Sequence, residues 1–349
     1  MRKSEKRKRY AVAVIGCGWI GMGAQLDPLR IEPASHAQAA ATLQSVKLAA
    51  LVDADRKTLA RAKQLYPDVP RFLDVLQMFE EIRPEIVVIS TTPESHCALV
   101  TLAASHGVRA ILCEKPISHD VKEARAAIRT CQRKKVLLFV NHIRRFDPYI
   151  RAIRENLNGT YIRDTSLGSL RCATAYYDKG LYHGGTHYID LLRFFLGEVR
   201  WVSAVTNAVF PRDAHDVRVD ALLGFDGATA GLQYFDSSQY CLAESVFFGE
   251  KGKLDLKYDS GRQIEIIGTR ASDEYSSYRE LNYDRPKRIG SPRSFVNPVL
   301  PHIVDCLEGR DKPVSSGEDA LRALEVIKAL ERSAKRNGKC IKLSRKIGA

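Results

Sequence analysis

The chain has 349 residues, 45% of them hydrophobic and 27% charged, the balance of a soluble globular protein long enough for two domains. No apolar run approaches the roughly eighteen residues of a membrane span, and eight cysteines with no CxxC pair argue against zinc and for reduced thiols in a cytoplasmic protein. Much of the net charge of +13 lies at the ends, where residues 1–9 carry six basic groups and one acid and Lys335, Arg336, Lys339, Lys342, Arg345 and Lys346 cluster, so no nucleic-acid motif is read from it.

Residues 1–9 read as a basic, disordered lead-in. The apolar stretch behind them is broken by glycines at once, so it reads as the first strand of a domain rather than as a signal peptide. That strand, Tyr10–Ile15, runs into Gly16-Cys17-Gly18-Trp19-Ile20-Gly21. The spacing is that of a dinucleotide-binding loop: one glycine for the tight turn, one for close approach of the pyrophosphate, one for packing of the following helix. Next comes Gly23–Pro33, read as an insertion, and a second strand, Val46–Val52. An acid that grips the adenosine ribose is expected near the end of that strand. Asp53 stands there, while Glu32, nearer to the usual spacing, sits between prolines in a loop. Asp53 favours NAD by repelling a 2′-phosphate; Arg56 and Lys57 behind it soften the preference and leave NADP open. Asp53 as a simple cap of the next helix is the plainer alternative.

Strands over Ile86–Ser90, Arg109–Cys113 and Val136–Val140 alternate with helical stretches at Arg56–Leu65, His96–Ser105 and Val121–Arg133, the pattern of a parallel α/β sheet. Three polar segments follow these strands: Thr91-Thr92-Pro93-Glu94-Ser95-His96, then Glu114-Lys115-Pro116, then Asn141 to Pro148. Ligands of an open parallel sheet lie outside the carboxyl ends of its strands, which places Lys115 where it faces the reacting end of a nucleotide.

After Asn141 the texture changes. Pro148–Leu157 reads as a linking helix, Leu170–Tyr177 as a strand and Gly185–Leu196 as a helix. Strand candidates then follow at Trp201–Phe210, Val217–Phe225, Ala228–Asp236, Glu244–Gly249, Lys253–Tyr258 and Gln263–Gly268, the pattern of an antiparallel sheet. Tyr283–Arg293 reads as a mobile loop, Ser294–Leu307 and Gly317–Arg336 as closing helices, and Cys340–Leu343 as a last short strand. The expected division is a lead-in over 1–9, a doubly wound Rossmann domain over 10–143, and an α+β domain over 144–349 that binds substrate and builds the oligomer.

The order of these segments, with Gly184-Gly185-Thr186-His187-Tyr188-Ile189-Asp190 in the second half, resembles the glucose-fructose oxidoreductase/inositol dehydrogenase/rhizopine catabolism (Gfo/Idh/MocA) family over nearly the whole chain. The Glu-Lys-Pro tripeptide in this context is the specific part. The resemblance implies an NAD(P)-dependent oxidoreductase acting on a sugar or polyol, with an open-faced, mainly antiparallel sheet through which a homodimer or homotetramer forms. Carried over by position, Lys115 orients and polarises the substrate hydroxyl and His187 is the acid/base. Gly16, Gly18, Trp19, Ile20, Gly21, Asp53, Thr91, Thr92, Pro93, His96, Glu114 and Lys115 hold the cofactor, and Arg145, Lys179, His183 and His187 join Lys115 around the substrate, with Arg145 as a brace of the domains the alternative reading. No metal is implied. Two positions depart from the pattern: Glu94 replaces the usual Asn, and His183 stands where an aspartate commonly supports the histidine.

The residue types suit the chemistry independently. Oxidising a secondary alcohol removes a proton while a hydride leaves carbon for nicotinamide. Histidine exchanges protons near neutral pH, and an ammonium stabilises the developing alkoxide. Arg144, Arg163, Lys179, Arg212 and Arg218 add charge for a phosphate or a nucleotide-linked sugar. Two other readings remain: an NAD-assisted glycoside hydrolase, and a non-catalytic NAD-binding sensor.

Overall fold

The structure, a computed structural model, describes residues 9–156, 167–206, 216–258, 263–290 and 294–344. The basic lead-in up to residue 8, Arg163, Arg212, and the last two residues of the C-terminal basic cluster lie outside them. The chain forms two compact units.

In the first unit, short apolar runs alternate with amphipathic helices: β1 (Tyr10–Ile15), α1 (His36–Thr42), β2 (Val46–Val52), α2 (Arg56–Leu65), β3 (Arg71–Phe72), α3 (Val75–Ile82), β4 (Ile86–Ile89), α4 (Pro93–Ser105), β5 (Ala110–Cys113), α5 (Val121–Lys134), β6 (Leu137–Val140) and α6 (Ile143–Phe146). The six strands pair in the order β3-β2-β1-β4-β5-β6, all parallel. Strands buried on both faces read as continuous apolar runs, and β4 and β5 are buried throughout. Helices α1, α2, α3 and α5 start on side-chain caps: Ser35, Asp55, Asp74 and Asp120 each accept a backbone N–H in the first turn. On α5 the buried Ala124, Ala127, Ile128 and Cys131 keep the 3.6-residue period of one inward face.

Strand register builds the site edge. Ile15 pairs with both Val52 and Ile89, Ile89 with Cys113, and Cys113 with Val140. The residues one step further on, Asp53, Gly16, Ser90, Glu114 and Asn141, therefore emerge as one row along the carboxyl edge of the sheet.

The second unit begins with α7 (Pro148–Asn156) and β7 (Leu170–Tyr177), then α8 (Thr186–Leu196), β8 (Trp201–Thr206), β9 (Val219–Gly224), β10 (Thr229–Tyr234), β11 (Glu244–Gly249), β12 (Gly252–Lys257), β13 (Gln263–Ala271), β14 (Arg279–Leu281) and β15 (Lys287–Ile289). Of the C-terminal elements, α9 (Val299–Leu307) and the start of α10 (Gly317–Ala334) belong to the first unit, and the rest of α10 and β16 (Ile341–Lys342) to the second. The large sheet runs β14-β13-β12-β11-β7-β10-β9-β8-β16, with β15 also on β13. Its pairings are antiparallel except β7 with β10, which is parallel. Phe195 of α8 packs on Phe247 of β11 at 4.8 Å between ring centres.

Two expectations change. The first unit extends to Phe146 and takes in 294–321 from the C-terminal side. The cause is apolar: Val296, Val299, Leu300, Ile303 and Val304 join the core that holds Val12, Val14, Leu112 and Phe139, and Ser315 Oγ donates to the Val140 carbonyl at 2.6 Å. Tyr283–Arg293 is not a plain loop, because Lys287–Ile289 pairs with Ile264–Ile266 as β15. The Gly23–Pro33 insertion opens with a 3-10 turn, Gly23–Leu26. No described helix is long and apolar enough to cross a membrane.

Candidate functional site

The three loop glycines are glycine for different reasons. Gly16 has φ +90°, and a Cβ there would lie 2.6 Å from the Ser90 carbonyl carbon. A Cβ on Gly21 would collide with the Gly16 carbonyl oxygen. Both are required by the chain itself. Gly18 is not: a Cβ on it would meet no atom within 4 Å. Bare backbone facing open space is what close approach of a pyrophosphate requires, so this loop fits a dinucleotide. Met22 and Gly23 N–H donate to the Gly18 carbonyl, starting a helical turn there. Trp19 is exposed, with the Arg30 guanidinium 5.3 Å from its ring centre, and Ile20 is half-buried.

Asp53 stands one step beyond β2. One carboxylate oxygen accepts the Cys17 N–H at 2.7 Å and the other accepts the Asp55 N–H at 2.9 Å. Helix α2 is capped by Asp55, whose oxygens accept from Lys57 and Thr58, so capping does not explain Asp53. A carboxylate has about four lone-pair sites, which leaves Asp53 acceptor capacity for a ribose. Burial, then the neighbouring Asp53 charge, pushes the Cys17 thiol up to about 12; it is inert as a nucleophile.

The loop after β4 carries Thr91, Thr92 and Pro93, with Pro93 opening α4. The Glu94 carboxyl is held below its usual range by its own backbone N–H and then by the Thr92 hydroxyl. His96 is fully buried, with Nδ1 2.8 Å from the Pro116 carbonyl and Nε2 3.1 Å from the Thr91 carbonyl. Burial lowers its pKa, so a neutral ring has one N–H, and the shorter contact is its natural place. His96 thus ties the loop after β4 to the one after β5.

Lys115 is half-buried at the carboxyl end of β5. Its neighbour Glu114 points inward: Oε1 meets His36 Nε2 at 2.8 Å and accepts from Asn141 Nδ2 at 2.7 Å, while Oε2 accepts the Lys115 N–H at 3.2 Å. Burial alone raises this carboxyl, but the His36 bond and charge, the Lys115 charge and the Asn141 bond outweigh it and bring the pKa down to about 2. The charge on Glu114 therefore persists inside the protein and fixes the backbone on which Lys115 stands. The sequence named Asn141 only as the start of the polar segment after β6 and did not mark His36; they meet Glu114 through the sheet register and the start of α1.

Arg145 is buried, with Nη1 2.8 Å from Asp319 and 3.2 Å from the Val314 carbonyl. It braces β6 and α6 against the returning C-terminal segment. In the second unit, Lys179 is exposed with φ +56°, and a π-helical turn over Leu181–Gly185 leads into α8. His183 is exposed on that turn, and His187 is half-buried in the first turn of α8. Asp216, which nothing in the sequence marked, accepts the N–H groups of Tyr182 and His183, both at 2.9 Å. A Cβ on Gly180 (φ +92°) would strike this carboxylate. Among the described residues, no group of three or more His, Cys, Asp or Glu is placed to hold a metal ion.

The description "Oxidoreductase family, NAD-binding Rossmann fold" (GFO/IDH/MocA) matches residues 10–142, and that of the GFO/IDH/MocA C-terminal domain matches residues 164–272. The chain is 29% identical to a D-apiose dehydrogenase of Paraburkholderia graminis, over 96% of this chain and 90% of that protein. It is 25% identical to an inositol 2-dehydrogenase of Rhizobium meliloti, over 85% and 92%. Among solved structures, the WlbA dehydrogenase from Bordetella pertussis in complex with NADH and UDP-GlcNAcA is similar with a TM-score of 0.74 and 18% identity, over 97% of this chain and 100% of that one.

Proposed function

We propose that this chain, which belongs to the GFO/IDH/MocA oxidoreductase family, is an NAD-dependent dehydrogenase that transfers a hydride between a secondary hydroxyl of a sugar or polyol and nicotinamide. The observation that carries this reading is the placement of Lys115. It stands at the carboxyl edge of the sheet, in the same row as the glycine loop, on backbone anchored by the buried Glu114. The apiose and inositol dehydrogenases among its relatives support a sugar or polyol as substrate.

NAD, when bound, supplies the hydride acceptor. Gly18 leaves the backbone clear for its phosphates, Asp53 offers acceptors to the adenosine ribose, and Trp19, Ile20, Thr91, Thr92 and Pro93 line its path. The Lys115 ammonium draws in the substrate hydroxyl, lowers its pKa and stabilises the alkoxide as it forms. His187 takes the hydroxyl proton in oxidation and returns it in reduction. Lys179 and His183, exposed beside that helix, hold the remaining hydroxyls. Asp216 supports the turn from the backbone side, where His183 replaces the carboxylate that usually assists the histidine.

Narrower forms of the same reading are a nucleotide-linked sugar as substrate, use of NADP, a homodimer or homotetramer formed through the large sheet, and a cytoplasmic setting, which the free cysteines support. The test is a panel of free, phosphorylated and nucleotide-linked sugars offered with NAD. One of them should be consumed in step with NADH formation. Substrate cleavage with no net NADH would move the chain to the NAD-assisted hydrolases.

A further inference from the structure

We propose that the inserted segment between the glycine loop and α1 builds a specificity subsite for an anionic, hydroxyl-bearing end of the substrate, the carboxylate of a sugar acid or the phosphate of a sugar phosphate. This rests on the dehydrogenase reading above and narrows its substrate class.

A cavity of about 390 Å³ lies within the first unit, walled by Ile20 of the glycine loop, Leu29, Arg30 and Ile31 of the insertion, and Asn141 and Ile143 after β6. That volume suits a small ligand, and Ile20 puts the cavity beside the cofactor loop. Two of its polar groups look for complementary partners. Asn141 is 2% exposed, and its Nδ2 donates to Glu114. This fixes which way the amide faces, because a carboxylate can only accept. The other amide atom, Oδ1, is buried with no hydrogen-bond partner. A buried acceptor left in that state calls for a donor, and a sugar hydroxyl supplies one.

Arg30 provides the charge. Its guanidinium is stacked over Trp19, and Asp27 Oδ2 stands 3.6 Å from Nε. That separation is too long for a hydrogen bond, so Asp27 steadies the side chain while the Nη donors remain for a planar or tetrahedral anion. Leu29 is 92% exposed and Ile31 49%; an occupant with a C–H face covers both. An arginine and an unfilled amide acceptor among the lining residues of one largely apolar cavity select a ligand that is both acidic and hydroxylated.

The test is equilibrium binding to the full chain saturated with NADH, using matched sets of an aldose, its aldonate and its phosphate. At least one aldonate or aldose phosphate should bind about ten-fold or more tightly than its neutral parent at low salt, and whichever anion does so identifies the source of the charge. Arg30→Gln should erase that margin, and Arg30→Lys should retain part of it, with NADH affinity within about two-fold of the parent. The proposal is overturned if no anion outbinds its parent. It is also overturned if Arg30→Gln weakens NADH as much as the sugar, which would assign Arg30 to the cofactor phosphates. Binding needs no turnover, so the dehydrogenase reading fails separately, by absence of NADH formation from a sugar that binds.

Discussion

Glu114 and His36 meet at 2.8 Å inside the first unit, although 78 positions separate them in the chain. The contact joins the start of α1, just past the insertion, to the residue before Lys115. It is an anchoring device beneath the site, and its charge state makes it measurable.

The Glu114 carboxyl is depressed from 4.5 to about 2 in the folded chain. A depressed carboxylate contributes stability above its unfolded pKa and loses it as pH falls through the folded one. Parent and Glu114→Gln should therefore differ most in urea midpoint above about pH 5 and converge as pH falls toward about 2. His36→Ala, which leaves the buried carboxylate only its bonds from Asn141 and the Lys115 N–H, should cost about 1–3 kcal/mol. The double variant should cost less than the sum of the two. A pH-independent gap between parent and Glu114→Gln would show that the carboxylate is not held ionised.

Gly18 and Gly16 should separate cofactor binding from folding. Gly18→Ala adds a methyl that meets nothing in the chain, so its Tm should stay near the parent's while NAD binding weakens about ten-fold or more. Gly16→Ala forces a left-handed φ and a backbone clash and should cost about 1–3 kcal/mol before any ligand is added. Thermal unfolding with and without NAD reads both.

Asp53 and Asp55 give a second internal contrast. Asp53→Ala frees the Cys17 N–H and removes the acceptor offered to the ribose; the ratio of NAD to NADP affinity should fall. Asp55→Ala removes only the cap of α2 and should cost about 1 kcal/mol with that ratio unchanged. Titration of both cofactors against each variant decides it.

Asp216 holds two N–H groups of the turn that precedes α8. Asp216→Ala should lower stability by about 1–3 kcal/mol and reduce kcat more than NAD affinity, since His187 follows that turn. Asp216→Asn keeps one acceptor oxygen and should recover part of the loss. Equal loss of kcat and NAD affinity would mean that Asp216 supports the whole chain rather than the turn.

Much of the fold was legible in sequence because its elements are local. Ala11 to Ile15 and Ile86 to Ile89 are strands by composition, and Arg56 to Leu65 and Val121 to Arg133 are helices by composition. Helix α3 went unread although Asp74 caps it and Met78 and Phe79 are its buried face; the signal was there. The return of 294–321 to the first unit was not, because its apolar face fits either core by composition. The glycine loop, Asp53 and Lys115 were visible as motifs tied to strand ends. His36 and Asp216 were not, nor was the bond of Asn141 to Glu114, since each acts on a residue far along the chain through sheet register or a turn. Arg145 was read as standing near the substrate or as a brace, and an arginine beside a strand end looks the same in sequence either way; it pairs with Asp319.

The central claim is that Lys115 acts on the substrate hydroxyl while the glycine loop binds the cofactor. Its most direct test is Lys115→Ala, measured for kcat/KM on the sugar found by screening and for NAD Kd. The account predicts a fall of about 100-fold or more in kcat/KM, far larger than any loss of NAD affinity. Turnover within a few-fold of the parent would contradict it.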